Sequence, residues 1–303
     1  MGMEMARWGG GMGSGRHARW LWSGLLTLLL AAGSPSTSGA AAADGPVTLV
    51  VCAPGYPGST AEAQPAMDVL AAALAAAAGW KPGDLSAVYF ESEREGFDRL
   101  AGPNAAVALV PLPFWLKHGR ALKLDPQLQA VQVGGEAAEP WSLVAAAGVI
   151  KNPASLSRFE LISLAGYSSR FVRGPALGSW GELPSDVTIT FSNAVLTGLR
   201  RASAGNRVAL LLDREQAAAL PALPFAAKLE VVARSAPLPV SVLCLVDGRL
   251  PAARLQTLVK GFTAVGKTPA GAEAMAGVRL ARFVRADQSA LARARDQYER
   301  ARE

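Results

Sequence analysis

Val47-Thr-Leu-Val-Val-Cys52 is followed by Ala-Pro-Gly-Tyr-Pro-Gly58 and then by Ser59-Thr-Ala-Glu62. The first six residues form a short β-branched run, which predicts a buried strand. The Pro/Gly/Tyr stretch predicts a loop. Ser59 with Glu62 three residues on is a capping box that starts a helix. An alanine-rich segment carries that helix to Gly79, with Met67, Leu70 and Leu74 on one stripe. Alanine is the best helix former, so this segment reads as helix rather than as low complexity. The unit then repeats. Leu85–Phe90 predicts a strand, Ser92-x-x-Glu95 caps a helix ending at Gly102, Ala105–Leu112 is a third strand closed by Pro111 and Pro113, and Leu128–Val133 is a fourth.

Gly134–Pro140 is turn-rich and acidic and marks a boundary. Beyond it the residues predict strands at Trp141–Ala147, Glu160–Leu164, Val187–Phe191, Arg207–Asp213 and Leu229–Ala233. Helices are expected to start at Ser168, Ser192 and Arg214. Pro237 and Pro239 mark a second crossing, after which Val240–Val246 reads as a strand and Leu250–Val265, Pro269–Val278 and Asp287–Arg302 as helices. Strands alternating with helices predict an α/β fold with mostly parallel sheets. Two such series joined by two extended crossings predict two lobes: residues 44–140 with 237–303, and residues 141–236.

The chain has 303 residues, half of them apolar and 18% charged, enough for a sizeable core and about two domains. The net charge of +6 comes from scattered Lys and Arg, and aromatics make up 7%, which argues against nucleic-acid binding. The N-terminus reads as an address. Arg7, Arg16 and Arg19 precede the apolar run Trp20–Ala32, which is shorter than the roughly 20 residues a spanning helix needs. Ala41-Ala42-Ala43 before Asp44 is an A-x-A exit, so residues 1–43 are read as a secretory signal peptide and the mature chain is expected outside the cytoplasm, in the periplasm. Cys52 and Cys244 both sit in apolar strand-like runs and are read as buried free thiols. The two histidines, His17 and His118, leave little room for a multi-histidine metal site or a histidine relay, and no metal or other cofactor is expected. Neither G-x-S-x-G nor H-E-x-x-H occurs, so the chain is not read as an enzyme. Glu91, Glu93 and Glu95 are expected to face solvent.

The order of elements resembles the periplasmic solute-binding proteins of ABC importers, type II, in their phosphate/phosphonate-binding branch. The resemblance rests on a strand ending at Val110-Pro111, on Trp141-Ser-Leu-Val144 as a crossing strand, on Ile150-Lys-Asn-Pro-Ala-Ser-Leu156 and Ala165-Gly-Tyr-Ser-Ser-Arg-Phe-Val172, and on Ala236-Pro-Leu-Pro239 before the return. It implies two α/β lobes joined by two hinge strands, which close on a small, anionic, phosphate- or phosphonate-like solute. It also implies a membrane permease as partner and a monomeric protein. The returning strand would lie beside strand three, which places Cys244 two strand positions from Cys52 and too far for a disulfide. A sensor or accessory protein with a degenerate cleft is the alternative, because bulky Arg170-Phe171 follows the two serines where the family carries a Ser/Thr-rich, glycine-containing turn.

Ligand contacts are then expected at Tyr167, Ser168 and Ser169, which follow a strand and start a helix. Tyr56, Ser59 and Thr60 form the matching loop of the first lobe. Trp115 and Trp141 either wall the cleft or pack between lobes. Asp213 either binds an amine or caps Arg214–Leu220, and Arg170 and Arg173 either pair with an anion or are solvated. Gly261-Phe-Thr-Ala-Val-Gly-Lys-Thr268 fits G-x-x-x-x-G-K-[ST], but a helical pattern precedes it where a phosphate loop needs a strand. It is read as a helix end followed by a Thr-capped, Pro-initiated helix.

Overall fold

A computed structural model describes residues 45–303; the expected signal peptide lies outside the described residues. The first series is β1 (Val47–Cys52), α1 (Thr60–Ala77), β2 (Leu85–Phe90), α2 (Glu93–Ala101), β3 (Ala105–Pro111), α3 (Leu112–His118) and β4 (Leu124–Gln132). The chain crosses through β5 (Ala138–Glu139) into β6 (Ser142–Ala146), β7 (Glu160–Ser163), α4 (Ser169–Phe171), β8 (Thr188–Phe191), α5 (Val195–Ser203), β9 (Val208–Leu212), α6 (Arg214–Ala219) and β10 (Leu229–Arg234). It returns through β11 (Leu238–Pro239) to β12 (Ser241–Val246), α7 (Ala252–Ala264), α8 (Pro269–Gly277), β13 (Leu280–Arg285) and α9 (Gln288–Arg300).

The strands form two main sheets, ordered β13-β4-β12-β3-β1-β2 and β10-β6-β9-β7-β8. In the first, β1 to β4 run one way, and β12 and β13 oppose them. In the second only β6 runs against the rest. Most strands of each sheet point the same way, with parallel pairing along β3-β1-β2 and β9-β7-β8 and antiparallel pairing elsewhere, and each sheet anchors one lobe. The crossings themselves pair: Leu238 lies opposite Glu139 and Pro239 opposite Ala138 in a separate antiparallel ribbon. Trp141–Val144, expected as the crossing strand, belongs instead to the second sheet, and the crossing lies just before it. Strand β13 was not expected from its sequence. Leu280-Ala-Arg-Phe-Val-Arg285 alternates only partly, and its pairing with β4 makes it an edge strand.

Three apolar clusters hold these layers together. One lies between the first sheet and α1, α7 and α8, with Leu49, Leu70, Leu74, Phe262 and Met275 at its centre. Another covers one face of the second sheet through Ile162, Leu199 and Leu210. The third runs without a break from one lobe to the other: Cys52, Phe114 and Val242 of the first join Leu143, Phe171 and Leu211 of the second, with Leu291 of α9. Helix α9 reaches the second lobe at Gly174, where an added Cβ would lie 2.5 Å from the Gln297 carbonyl oxygen.

The Gly261–Thr268 segment is the end of α7, a single 3-10 turn and the start of α8. Thr268 caps α8 by accepting the Gly271 N–H at 3.1 Å, and Pro269 follows as its first residue. No strand precedes the motif, so it is not a phosphate loop. Strand β12 sits beside β3 as expected, so β3 separates Cys244 from Cys52, and both thiols are free and fully buried. Burial pushes both thiol pKa values up.

Helix α2 lies on β1 at Gly96, whose missing Cβ leaves room for the Cys52 side chain. Gly96→Ala gains about 1 kcal/mol of helix propensity but overpacks that contact, at a cost of about 1–3 kcal/mol. A net loss of stability is expected, read in urea as a lower midpoint with an unchanged slope.

Candidate functional site

The carboxyl ends of the parallel strands in the two lobes meet across a narrow seam. Tyr56, in the loop after β1, donates its hydroxyl to Asp213 Oδ2 at 3.2 Å; Asp213 follows β9. Gly55, at φ +80°, lets the loop approach the second lobe: an added Cβ would lie 2.8 Å from Leu164 Cδ2 and 3.0 Å from Phe191. Lys117 of α3 donates to the Tyr167 carbonyl at 2.6 Å. Arg279 pairs with Glu215 at 2.7 Å, and Arg214 with Glu139 of β5 at 2.8 Å. Between these ties lies a cavity of about 30 Å³, bounded by Tyr56, Pro111, Trp141, Leu164, Asp213 and Arg214 among others. Its volume matches that of about one water molecule. A second cavity of about 350 Å³ opens on the other side of Tyr56, between α1 and the turn from α8 to β13.

Asp213 has two roles. Its Oδ1 accepts the Gln216 N–H at 2.9 Å, capping α6, while its Oδ2 takes the Tyr56 hydroxyl. Burial raises its pKa, and the nearby carboxylates of Glu215 and Glu139 push the same way, against the lowering by the Gln216 and Tyr56 hydrogen bonds. The Tyr56 hydroxyl is pushed up by burial and by the Asp213 charge.

Tyr167 comes from the second lobe and buries its hydroxyl in the seam. The ring packs edge-on against Phe191 at 5.7 Å, with Lys117 Nζ 5.6 Å from its centroid. The hydroxyl lies within electrostatic reach of Cys52, Glu93 and Tyr56. Neither it nor the buried Ser168 Oγ has a hydrogen-bond partner. Ser169 begins α4, a helix of only three residues that continues into a π-helical turn.

Other expected contacts lie elsewhere. Ser59 is consumed by its capping box, accepting the Glu62 N–H and donating to Glu62 Oε2 at 3.0 Å. Thr60 reaches Glu91 Oε2 at 3.5 Å, and neither residue lines a cavity in the seam. Trp115 is buried within the first lobe, where its Nε1–H donates to the Leu124 carbonyl and the Arg295 guanidinium stacks 4.1 Å from its ring. It lines neither cavity at the seam, because the proline-started α3 turns it toward Leu124 and Arg295 of its own lobe. Trp141 lines the small cavity and packs edge-on against Phe171 at 5.3 Å. Arg170 and Arg173 are engaged by the chain itself and half-buried: Arg170 donates to the carbonyls of Ala301 and Glu299, and Arg173 to those of Leu183 and Pro184. Glu93 does not simply face solvent; it pairs with Lys117 at 2.7 Å and His118 at 2.6 Å.

The residues missed from the sequence are Gly55, Lys117, Glu139, Arg214, Glu215 and Arg279. Arg214 and Glu215 directly follow Asp213 and could have been found at that strand end. Their partners are remote in sequence and left no local signal. Among the described residues no cluster of His, Cys, Asp or Glu is arranged to hold a metal, and no helix is long and apolar enough to cross a membrane.

A carboxyl group whose folded pKa is raised supports folding below its unfolded pKa and loses that support as pH rises through the folded value. Asp213→Asn keeps the Oδ1 acceptor for the Gln216 cap, places an NH2 donor opposite the Tyr56 hydroxyl oxygen, and cannot ionise. Its thermal stability relative to the parent is expected to improve as pH rises above about 4, the ordinary aspartate value. A pH-independent difference would show that Asp213 titrates normally.

No protein-family model matches the sequence, and no curated protein does. Solved structures do. Chloride-bound XAC2383 from Xanthomonas citri has a TM-score of 0.66 at 14% identity, over 84% of this chain and 98% of that one. A binding-protein component of an ABC phosphonate transporter from Pseudomonas aeruginosa gives 0.58 at 13%, over 82% and 84%. The periplasmic aliphatic sulphonate-binding protein SsuA from Escherichia coli gives 0.52 at 12%, over 85% and 86%. With two α/β lobes, a paired double crossing and the returning β12 set between β3 and β4, this chain has the type II periplasmic-binding-protein fold.

Proposed function

We propose that the chain is an exported, monomeric binding protein that holds a small anionic solute between its lobes and delivers it to the membrane permease of an ABC importer. The lobes are residues 44–140 with 237–303, and residues 141–236, turning about the β5–β11 ribbon. The observation that carries this reading is the pair of unpartnered hydroxyls, Tyr167 and Ser168, in the turn that meets α3. A buried hydroxyl without a partner costs about 1–3 kcal/mol. A phosphate- or phosphonate-like oxyanion supplies acceptors for both once the lobes part, with Lys117 beside them. The carboxylates at the seam are already engaged, Asp213 by Tyr56 and Glu139 by Arg214. The fold neighbours support the same class of solute: they include a binding component of an ABC phosphonate transporter, an aliphatic sulphonate-binding protein, and the Xanthomonas protein bound to chloride or to ATP.

A second reading is a sensor or accessory protein whose cleft is filled by its own side chains. Two observations favour it: the seam cavity is only about 30 Å³, and an apolar cluster continues across it.

Thermal unfolding of the mature chain with phosphate, methylphosphonate, an aliphatic sulphonate, chloride, ATP and amino acids separates the two. A solute at about 100 times its Kd adds about 2.7 kcal/mol, which for a chain of this size raises Tm by about 5–10 °C. The importer reading predicts such a shift with one anion class and its loss in Tyr167→Phe/Ser168→Ala. No shift with any solute supports the self-filled cleft.

A further inference from the structure

The cavity of about 350 Å³ beside the seam lies within the size range of small-molecule sites. Small residues create it. Ala63 and Ala66 of α1, Ala130 of β4, and Gly58 and Gly277 in the flanking loops line the space where larger side chains would close it. The alanine-rich sequence that makes α1 a good helix thus also leaves it thin on this face. Deeper in, Met67, Leu70, Leu109 and Leu280 make the wall apolar, and all four are buried.

The polar lining is sparse and falls into two sets. Glu62, Glu215 and Arg279 carry the charges, and Arg279 is already paired with Glu215. The remaining charge is a carboxylate, so an anion is disfavoured here. Gln132 at the end of β4 and Ser241 at the start of β12 line the cavity and make no side-chain hydrogen bond to the described residues. They are the groups available to a ligand's polar end.

We propose that this cavity is a binding site for a small uncharged amphiphile, with its apolar body against Met67, Leu70, Leu109 and Leu280 and its hydrogen-bonding end at Gln132 and Ser241. The site is distinct from the seam in chemistry and position, and Tyr56 forms part of the wall of both. The proposal does not depend on what the seam binds. Its occupant also touches Glu215, the one lining residue from the second lobe, and so sits against the Glu215–Arg279 tie between lobes.

β-Naphthol, uncharged at neutral pH and intrinsically fluorescent, is a suitable probe for titration into the mature chain. Saturable one-to-one binding is expected. Ala66→Trp places an indole in the cavity and should weaken binding at least about tenfold. Val69→Trp, at an exposed position of the same helix that does not line the cavity, should leave binding unchanged. Gln132→Leu provides an arm that does not depend on filling the space: it should weaken β-naphthol several-fold while leaving naphthalene unaffected, which assigns the polar end. Response of the parent to the anion panel should persist in Ala66→Trp, separating failure here from failure of the seam reading. No saturable binding to the parent, or equal affinity in the parent and Ala66→Trp, overturns the proposal.

Discussion

Two crossings between the lobes pair with each other over only two residues a side, and the rest of the architecture follows from that ribbon. Because β5 and β11 are antiparallel neighbours, the chain leaves and re-enters the first lobe at one place. The carboxyl ends of β1 and β3 are thereby turned toward those of β7 and β9, where open α/β sheets bind their ligands. So short a ribbon constrains orientation but adds little energy. Pro239 contributes no N–H to it, which a two-residue pair standing apart from both sheets tolerates.

Closure is therefore left to the seam, and the seam ties are individually weak. Ion pairs such as Arg279–Glu215, whose arginine is largely exposed, are worth about 0–1 kcal/mol. A neutral hydrogen bond adds about 1 kcal/mol. Against these stands a larger apolar contribution, from the cluster that includes Phe114 on one side and Phe171 on the other. The balance sets how readily the lobes part. Buried polar groups matter here for the same reason: the Tyr167 and Ser168 hydroxyls are left unsatisfied, which costs energy, while Tyr56 and Asp213 satisfy each other.

Much of the fold was legible because its signals are local. The caps at Ser59 and Ser92, the β-branched run at Val47 and the prolines at 237 and 239 each report the backbone around them. The position of Cys244 relative to Cys52 followed once the topology was fixed by resemblance. The site was less legible. Tyr56, Trp141 and Asp213 line one small cavity and the Tyr167 carbonyl meets Lys117, positions at strand ends and helix starts that a sequence can point to. Ser59 and Thr60 lie at the right place in the fold, but their side chains serve α1 and Glu91. Trp115 was misplaced because the sequence does not say which way a short helix turns its faces. Arg214–Glu139 and Arg279–Glu215 join residues far apart in the chain, and such pairings leave no periodicity to read. Strand β13 escaped because an edge strand carrying Arg282 and Arg285, three residues apart, shows no clean two-residue alternation.

The central claim is that the lobes are hinged at the β5–β11 ribbon and latched across the seam. Spin labels at Val69→Cys in the first lobe and Leu196→Cys in the second, both exposed positions, report the separation directly, since the native thiols are buried. Electron–electron double resonance should give one short distance in the parent and an added, longer population when the latch is broken by Tyr56→Phe. A single unchanged distance in both proteins would mean that the two halves form one rigid body, and the hinge account would be wrong.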